Sequence, residues 1–160
     1  MPIDKKHIGN VYGPTRYEVG SVKMKEFAYA VAGGVPSFGF TGTGAPAGLE
    51  PWFHDDAAAA ASPYGSLIAL PSFAVVFAIA PFGLAVSDPA LGIDLLRLVH
   101  GEQEFEFLEP VRPGDVMVST GVITHIFDKA AKDFLTVTTE SKNQHGRIAV
   151  RGTWLAVIRH

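Results

Sequence analysis

The chain of 160 residues contains no cysteine, which excludes disulfide bonds, thiolate metal ligands and a cysteine nucleophile. The same absence fits a reducing compartment. The net charge is only -3, with both signs spread along the chain, so neither nucleic acid nor a membrane is expected as a partner. Residues 1–7 include two lysines but no apolar stretch follows them, so we expect no signal peptide and a cytoplasmic protein.

Signatures of the common metal and cofactor sites are missing as well. No histidines or carboxylates have the helical spacing of a metal site such as His-Glu-x-x-His, so we expect no metal. There is no Gly-x-Ser-x-Gly elbow, no phosphate loop and no dinucleotide fingerprint. The sequence therefore predicts a protein that works without a cofactor.

Charge is absent from one long run, Ala57–Val86. Apolar side chains dominate every face from Phe73 to Ala80, which predicts a buried helix because no stripe of it prefers water. Pro71 suits a first helical turn, whereas Pro81 and Gly83 disfavour a continuous helix through them. We expect about ten helical residues, roughly 15 Å long. A transmembrane span is the alternative, but the prolines and the acidic flanks argue against it.

Alternating and β-branched runs dominate the second half of the chain. Glu104–Phe107 alternates strictly between charged and aromatic residues, as a half-buried strand does. Residues 116–127, 134–140 and 148–158 are rich in β-branched and aromatic residues, with charged or glycine-containing breaks between them. We expect four long antiparallel strands here and, with the early helix, an α+β fold in a single domain of residues 1–160.

A shorter helix and a long loop precede these elements. Ser21 is expected to cap a helix that stops at Gly33-Gly34. The loop from there to Gly48 is rich in glycine, proline and small polar residues and contains Phe38 and Phe40. Loops of this length are often binding segments or lids, and a surface insertion without a function is the alternative.

Five stretches resemble the MaoC-like dehydratases and, among them, the FAS1-like or N-terminal MaoC dehydratase branch. They occur in order and span nearly the whole chain, except for the loop before Gly48. The stretches are Ile8–Gly9, Tyr17–Val19, Tyr64–Phe73, Leu98–Phe107 and Pro110–Asp115.

The resemblance implies a hot-dog fold, in which an antiparallel sheet wraps around a long central helix. It also implies a homo- or heterodimer, in which two hot-dog subunits pair edge to edge. The implied ligands are acyl thioesters of coenzyme A or of acyl carrier protein, as in fatty acid metabolism. The implied reaction is that of a hydro-lyase, the reversible hydration of a trans-2-enoyl thioester to an (R)-3-hydroxyacyl thioester.

Active members of this family carry the pattern Asp-x-Asn-Pro-x-His, whose Asp and His form the acid–base pair, and a later glycine whose N–H binds the oxyanion. The pattern aligns here without gaps on four anchors, Pro51, Asp55, Tyr64 and Ile68. The His position then falls on Phe53, the Asp position on Gly48 and the oxyanion glycine on Pro71. Phenylalanine transfers no proton and proline has no N–H, so the resemblance implies that these roles are vacant.

We therefore predict the acyl-binding half of a hydratase or dehydratase assembly, without the catalytic dyad. The predicted acyl-binding residues are Phe53, Tyr64, Leu67, Ile68, Leu70, Pro71, Ser72 and Phe73.

Three alternatives stay open at this point. One is a self-sufficient (R)-enoyl-CoA hydratase that uses His54 and Glu50 as a displaced catalytic pair. The competing interpretation is that His54 faces solvent and caps or pairs with Asp55 or Asp56, without a catalytic role. The other two are an acyl-CoA thioesterase, in which one of these carboxylates directs water, and a non-enzymatic acyl-CoA-binding protein.

Overall fold

Five strands form one sheet in the computed structural model, which describes residues 2–32 and 48–159. The strands are β1 Val11–Glu18, β2 Leu98–Phe107, β3 Val116–Lys129, β4 Lys132–Lys142 and β5 Ile148–Arg159. Their order across the sheet is β1-β3-β4-β5-β2. The pairs β3–β4, β4–β5 and β5–β2 are antiparallel, which confirms the four strands predicted for the second half.

Side chains alternate between two faces along β4 and β5. Leu135 and Val137 on β4 are fully buried, as are Trp154 and Ala156 on β5. The residues between them are half-buried, so one face of the sheet forms the core and the other is partly open to solvent. This period of two is the pattern that predicted the strands from the sequence.

The uncharged run forms several short helical segments. The helices of the described residues are α1 Ser21–Val31, α2 Asp56–Ala61, α3 Val75–Ala78 and α4 Ala80–Val86, with 3₁₀ turns that include Pro51–Phe53 and Pro71–Ala74. The predicted helix of about ten residues is wrong, whereas the predicted break near Pro81 is present. Pro81 interrupts the helix at Ile79, because a proline ring clashes with the carbonyl of the preceding turn, but it then lies in the first turn of α4.

The prediction that this helical run is buried on every face is also wrong. Phe77 and Phe82 are buried, whereas Ile79 and Leu84 are 37% and 48% exposed. One side of the run is therefore buried and the other is exposed, although its residues are apolar on every side. None of the helices in the described ranges is long and apolar enough to cross a membrane.

The chain divides into two compact units. One consists of Met1–Arg16, Val75–Glu109 and Met117–His160, and the other of Tyr17–Ala74 and Pro110–Val116. Each unit is built from separate stretches of the chain, and the single hot-dog domain of residues 1–160 stays a prediction.

Trp154 is the centre of the first unit. In this unit α3 and α4 lie against β4 and β5. The Trp154 ring stacks on Phe82 at a centroid distance of 5.7 Å and meets Phe105 edge-on at 5.3 Å. Its Nε1–H donates to Thr139 Oγ1 at 3.0 Å, so the polar atom of the buried indole is satisfied inside the core.

Helix α1 belongs to the second unit and buries Met24 and Ala28. The prediction that Ser21 caps it is wrong, because Gly20 has the extended backbone of the N-cap and Ser21 is already helical. Helix α1 ends at Val31. The predicted loop, with Phe38 and Phe40, lies outside the described residues except for its last position.

Candidate functional site

The stretch Tyr64–Phe73, with most of the predicted acyl-binding residues, lies in the second unit. Arg112 fixes the beginning of this stretch. Its guanidinium donates to the carbonyl oxygen of Tyr64 at 2.9 Å and also to Ser66 Oγ. The backbone N–H of Arg112 donates to Asp115 Oδ2 at 2.7 Å, so the arginine is itself held in a hydrogen-bonded turn.

Beyond Ser66 the chain is held by two long-range backbone hydrogen bonds. The N–H of Ile68 donates to the carbonyl of Trp52 at 3.3 Å, and the N–H of Ala69 donates to the carbonyl of Val111 at 2.8 Å. Leu67 and Ile68 are only 3% and 6% exposed, so their side chains belong to the core.

Phe73 is fully buried at the other end of the stretch. Its ring meets Phe27 edge-on at 5.4 Å and Tyr17 at 6.4 Å. The predicted acyl-binding residues therefore divide by burial, with Phe73, Leu67 and Ile68 inside the protein. Those with surface that a ligand can reach are Phe53, Tyr64, Leu70, Pro71 and Ser72.

Three positions align with the family's catalytic groups, and the structure shows the surroundings of each. Pro71 is exposed and begins the 3₁₀ turn Pro71–Ala74, a place where other residues present a free N–H. Phe53 is half-buried at the end of the turn Pro51–Phe53, with its ring centroid 6.2 Å from that of Trp52. Gly48 has no side chain and a positive φ of 78°.

His54 lies directly after this turn and is half-buried. Its ring is tilted against that of Tyr29, with the centroids 6.0 Å apart. Its Nε2 is buried and has no hydrogen-bond partner among the described residues. The solvent-facing His54 that pairs with Asp55 or Asp56 is therefore not what the structure contains.

Both aspartates have other partners. Asp55 caps α2 by accepting the N–H of Ala58 at 2.9 Å, and Asp56 pairs with Lys25. The Ala58 hydrogen bond is the main reason why the pKa of Asp55 is lowered. A carboxylate with a lowered pKa is a weaker base, so Asp55 is poorly suited to activating water.

Glu50 is exposed and precedes the turn that leads to His54. Its carbonyl oxygen accepts the N–H of Phe53 at 3.1 Å, which closes the turn. No hydrogen bond joins the Glu50 and His54 side chains in the part of the chain that the structure describes. The structure thus does not connect the displaced pair.

Within residues 2–32 and 48–159, no cluster of histidine and carboxylate side chains is arranged to hold a metal ion. The described part of the site presents one imidazole, exposed carboxylates and backbone groups around a partly apolar surface.

A family profile described as the FAS1-like dehydratase domain region matches residues 6–151. The chain belongs to the FAS1-like dehydratase family. This family member is 37% identical over 147 residues to a UPF0336 protein of Saccharopolyspora erythraea, a match that covers 91% of the chain and 85% of that relative.

Solved structures share the fold. A MaoC-like dehydratase matches with a TM-score of 0.77 and 25% identity, covering 96% of this chain and 42% of that chain. The HadBC (3R-hydroxyacyl-ACP dehydratase) complex from Mycobacterium tuberculosis matches with a TM-score of 0.73 and 22% identity, covering 98% of this chain and 99% of that chain. The α+β hot-dog fold and the resemblance to MaoC-like dehydratases are confirmed.

Two residues at this site were missed by reasoning from the sequence. Arg112 lies within Pro110–Asp115, but its target Tyr64 is 48 residues away, and nothing in the sequence links them. Tyr29 belongs to an ordinary helical pattern, and its contact with His54 depends on how α1 packs. Both residues are recognised as part of the site only from their contacts in the folded structure.

Proposed function

We propose that this FAS1-like dehydratase family member is the acyl-binding half of an (R)-specific enoyl-thioester hydratase or 3-hydroxyacyl thioester dehydratase. In this proposal it forms a heterodimer with a second hot-dog chain, and that partner supplies the catalytic dyad. The substrate is an acyl thioester of coenzyme A or acyl carrier protein, and no cofactor takes part.

The exposed Pro71 is the observation that carries this proposal. Hydration of an enoyl thioester needs donors that stabilise the thioester oxygen as it gains charge. Pro71 begins a 3₁₀ turn and has no N–H to donate. In the sequence alignment it matches the family's oxyanion glycine. Phe53 supports the same conclusion, because a phenyl ring stands where the family has its catalytic histidine.

The exposed part of the stretch fits an acyl-binding role. Acyl chains need mostly apolar walls, and Leu70, Pro71 and Tyr64 offer apolar surface that solvent reaches. Arg112 and two backbone hydrogen bonds fix the stretch, so this surface is held in place before a ligand binds.

His54 favours a second candidate function, a self-sufficient (R)-enoyl-CoA hydratase. Leaving a buried polar atom without a hydrogen bond costs about 1–3 kcal/mol. A bound thioester or its attacking water would remove that cost at His54 Nε2. In this reading His54 is the base, and Glu50 would have to move to join it.

A thioesterase has less support, because Asp55 and Asp56 are engaged by the N–H of Ala58 and by Lys25. Of the three carboxylates that the sequence offers for directing water in a thioesterase, this leaves Glu50.

Three readouts on one acyl-thioester series separate these functions. The chain is mixed with enoyl-CoA and saturated acyl-CoA, and enoyl absorbance, free thiol and retained ligand are followed. The proposal predicts retained ligand with neither reaction by the chain alone, and loss of enoyl absorbance without thiol release after a catalytic partner is added. Thiol release from saturated acyl-CoA would instead identify a thioesterase. Retention of ligand with no reaction in any mixture would indicate a non-enzymatic acyl-CoA-binding protein.

A further inference from the structure

Three cations lie in a row across the sheet, at the end where β3 turns into β4. The strand register pairs Lys129 of β3 with Lys132 of β4, and it pairs Lys132 in turn with Arg159 of β5. All three are exposed, and within residues 2–32 and 48–159 no ion pair involves any of them. Like charges directly opposite each other destabilise a strand pair. This basic row therefore lowers the stability of the sheet on its own.

The turn that holds the basic row is unfavourable as well. Ala130 and Ala131, which join β3 to β4, have positive φ values of 52° and 57°. Asparagine and glycine are the usual residues in such a turn, because this backbone conformation strains alanine. Strain and unrelieved like charges at the same place indicate a surface that serves another purpose than stability.

The basic row belongs to the face of the sheet that is partly open to solvent. Lys132 and Arg159 are next in sequence to the buried Asp133 and Ile158, and successive side chains of a strand point to opposite faces. We call this side of the sheet the open face. Its half-buried middle consists mainly of apolar residues and threonines, among them Val122, Phe134, Thr136, Thr138, Leu155 and Val157.

The opposite end of the open face is acidic. Lys132 and Glu140 lie near the two ends of β4, roughly 26 Å apart at about 3.3 Å per residue. Glu140 and Glu106 flank Arg151, with ion pairs of 3.1 and 3.0 Å. The carboxylates of this acidic end are Glu102, Glu104, Glu106 and Glu140, and its cations are Arg151 and Lys142. The acidic end therefore has a net negative charge.

This arrangement of charges is complementary to itself. A two-fold axis that lies across the strands reverses their direction, so two stacked open faces place the basic row of each copy over the acidic end of the other. When the axis passes over Thr136, Lys132 of each copy lies over Glu140 of the other. Four strands about 4.8 Å apart and roughly 26 Å long give a face of about 500 Å² per copy. Both copies together then bury about 1,000 Å², the lower limit of a specific interface.

We propose that a second copy of this chain docks on the open face, with the basic row of each copy against the acidic end of the other. The occupant is another copy because one face carries both charges at positions that a two-fold axis exchanges. The unpaired edge of β2 takes no part in this contact. The inference therefore does not rest on the proposed function, and its test measures association and not hydration.

The test reverses one charge at each end of the open face. Lys132→Glu and Glu140→Lys each place like charges over one another in a self-pair, so each variant should self-associate at least tenfold more weakly than the wild type in sedimentation experiments. An equimolar mixture of the two variants again places opposite charges over each other at both contacts. Its association should return to within a few-fold of the wild type. Added salt should weaken the wild-type pair and the mixed pair alike.

A second measurement separates the basic row's role in docking from a role in folding. Lys132→Glu removes the repulsion from Lys129 and Arg159, so it should raise the urea midpoint of the monomer while it weakens association. Ala130→Asn/Ala131→Gly should also raise the midpoint, because it relieves the turn, but it should leave association unchanged. A lower midpoint for Lys132→Glu would mean that the row stabilises the fold, and this would contradict the proposal.

The matched controls are Lys5→Glu and Glu26→Lys, which make the same changes in net charge at exposed positions outside the sheet. Both should associate as the wild type does. Circular dichroism checks that each variant is folded. If the loss of the Arg151 ion pair unfolds Glu140→Lys, the comparison of Lys132→Glu with Lys5→Glu still decides the question.

Three results would overturn the proposal. One is a wild-type chain that stays monomeric up to about 100 μM, well above the dissociation constants of specific pairs. Another is a folded Lys132→Glu variant that associates as tightly as the wild type. The third is a mixture of folded variants that associates no more tightly than either variant alone.

Discussion

Gly152 illustrates at the residue scale how tightly the sheet core is packed. A Cβ there would lie 2.7 Å from Thr139 Oγ1, 2.8 Å from Trp154 Nε1 and 3.1 Å from the Phe105 ring. We expect Gly152→Ala to destabilise the protein by about 1–3 kcal/mol, the usual cost of overpacking. Urea unfolding, followed by circular dichroism, measures this.

Gly83 provides the matched control, because it lies within α4 and a Cβ added there would have no atom outside its own helix within 4 Å. Gly83→Ala should be neutral or stabilising, since alanine is favoured over glycine in a helix by about 1 kcal/mol. Equal losses at Gly152 and Gly83 would contradict the packing described for Trp154.

Leu70 carries a second prediction at this scale. It is half-buried within the stretch Tyr64–Phe73, and Leu70→Asp would place a charge on the proposed acyl wall. We expect at least a tenfold loss of acyl-CoA affinity, measured by calorimetry, with the fold retained. Leu96→Asp is the control, because Leu96 is 97% exposed and outside the stretch. Unchanged affinity in a folded Leu70→Asp variant would remove the stretch from the site.

At the element scale, Arg112 joins the turn Pro110–Asp115 to the beginning of the acyl-binding stretch. Hydrogen bonds that involve a charged group contribute about 1.5–3 kcal/mol, and this arginine donates two. We expect Arg112→Ala to speed hydrogen exchange of the amides of Ile68 and Ala69 and to weaken acyl binding. Arg112→Lys should restore little, because the lysine side chain is one atom shorter and does not carry its ammonium to the position of the Arg112 Nη1, which donates both hydrogen bonds. Unchanged exchange at both amides would show that the turn does not hold this stretch.

The elements differ in how far the sequence predicted them. Strands β3–β5 were predictable because their burial alternates with a period of two, and β2 was predictable because Glu104–Phe107 alternates between charged and aromatic residues. The helical run was not, because its apolar composition hides both the break at Ile79 and the exposed Leu84. At the site, the substitutions at Phe53 and Pro71 are visible in the sequence. The burial of His54 Nε2 is not, because it depends on packing against Tyr29.

At the scale of the whole molecule, the chain has the features expected of half an assembly. Among the described residues, no strand covers the outer side of β2, and Leu84 on α4 and the preceding Ile79 are exposed. Both places leave surface that a partner would cover. The proposed function calls for a partner for a second, chemical reason, because Phe53 and Pro71 align with the family's catalytic positions. The exposed surface and the residues at the aligned catalytic positions therefore predict the same kind of partner. This partner is a hot-dog chain with an intact Asp-x-Asn-Pro-x-His pattern.

The most direct test is hydration of crotonyl-CoA and longer enoyl-CoA substrates by the purified chain, alone and with such a partner. Loss of a general base typically costs 10²–10⁴-fold in rate, and loss of one oxyanion donor about 10²–10³-fold. We expect little or no turnover alone, turnover above that of the partner alone when both are present, and less than a tenfold change on His54→Ala. Robust turnover by the isolated chain, abolished by His54→Ala or Glu50→Gln, would contradict the silent-subunit proposal and make these residues the catalysts.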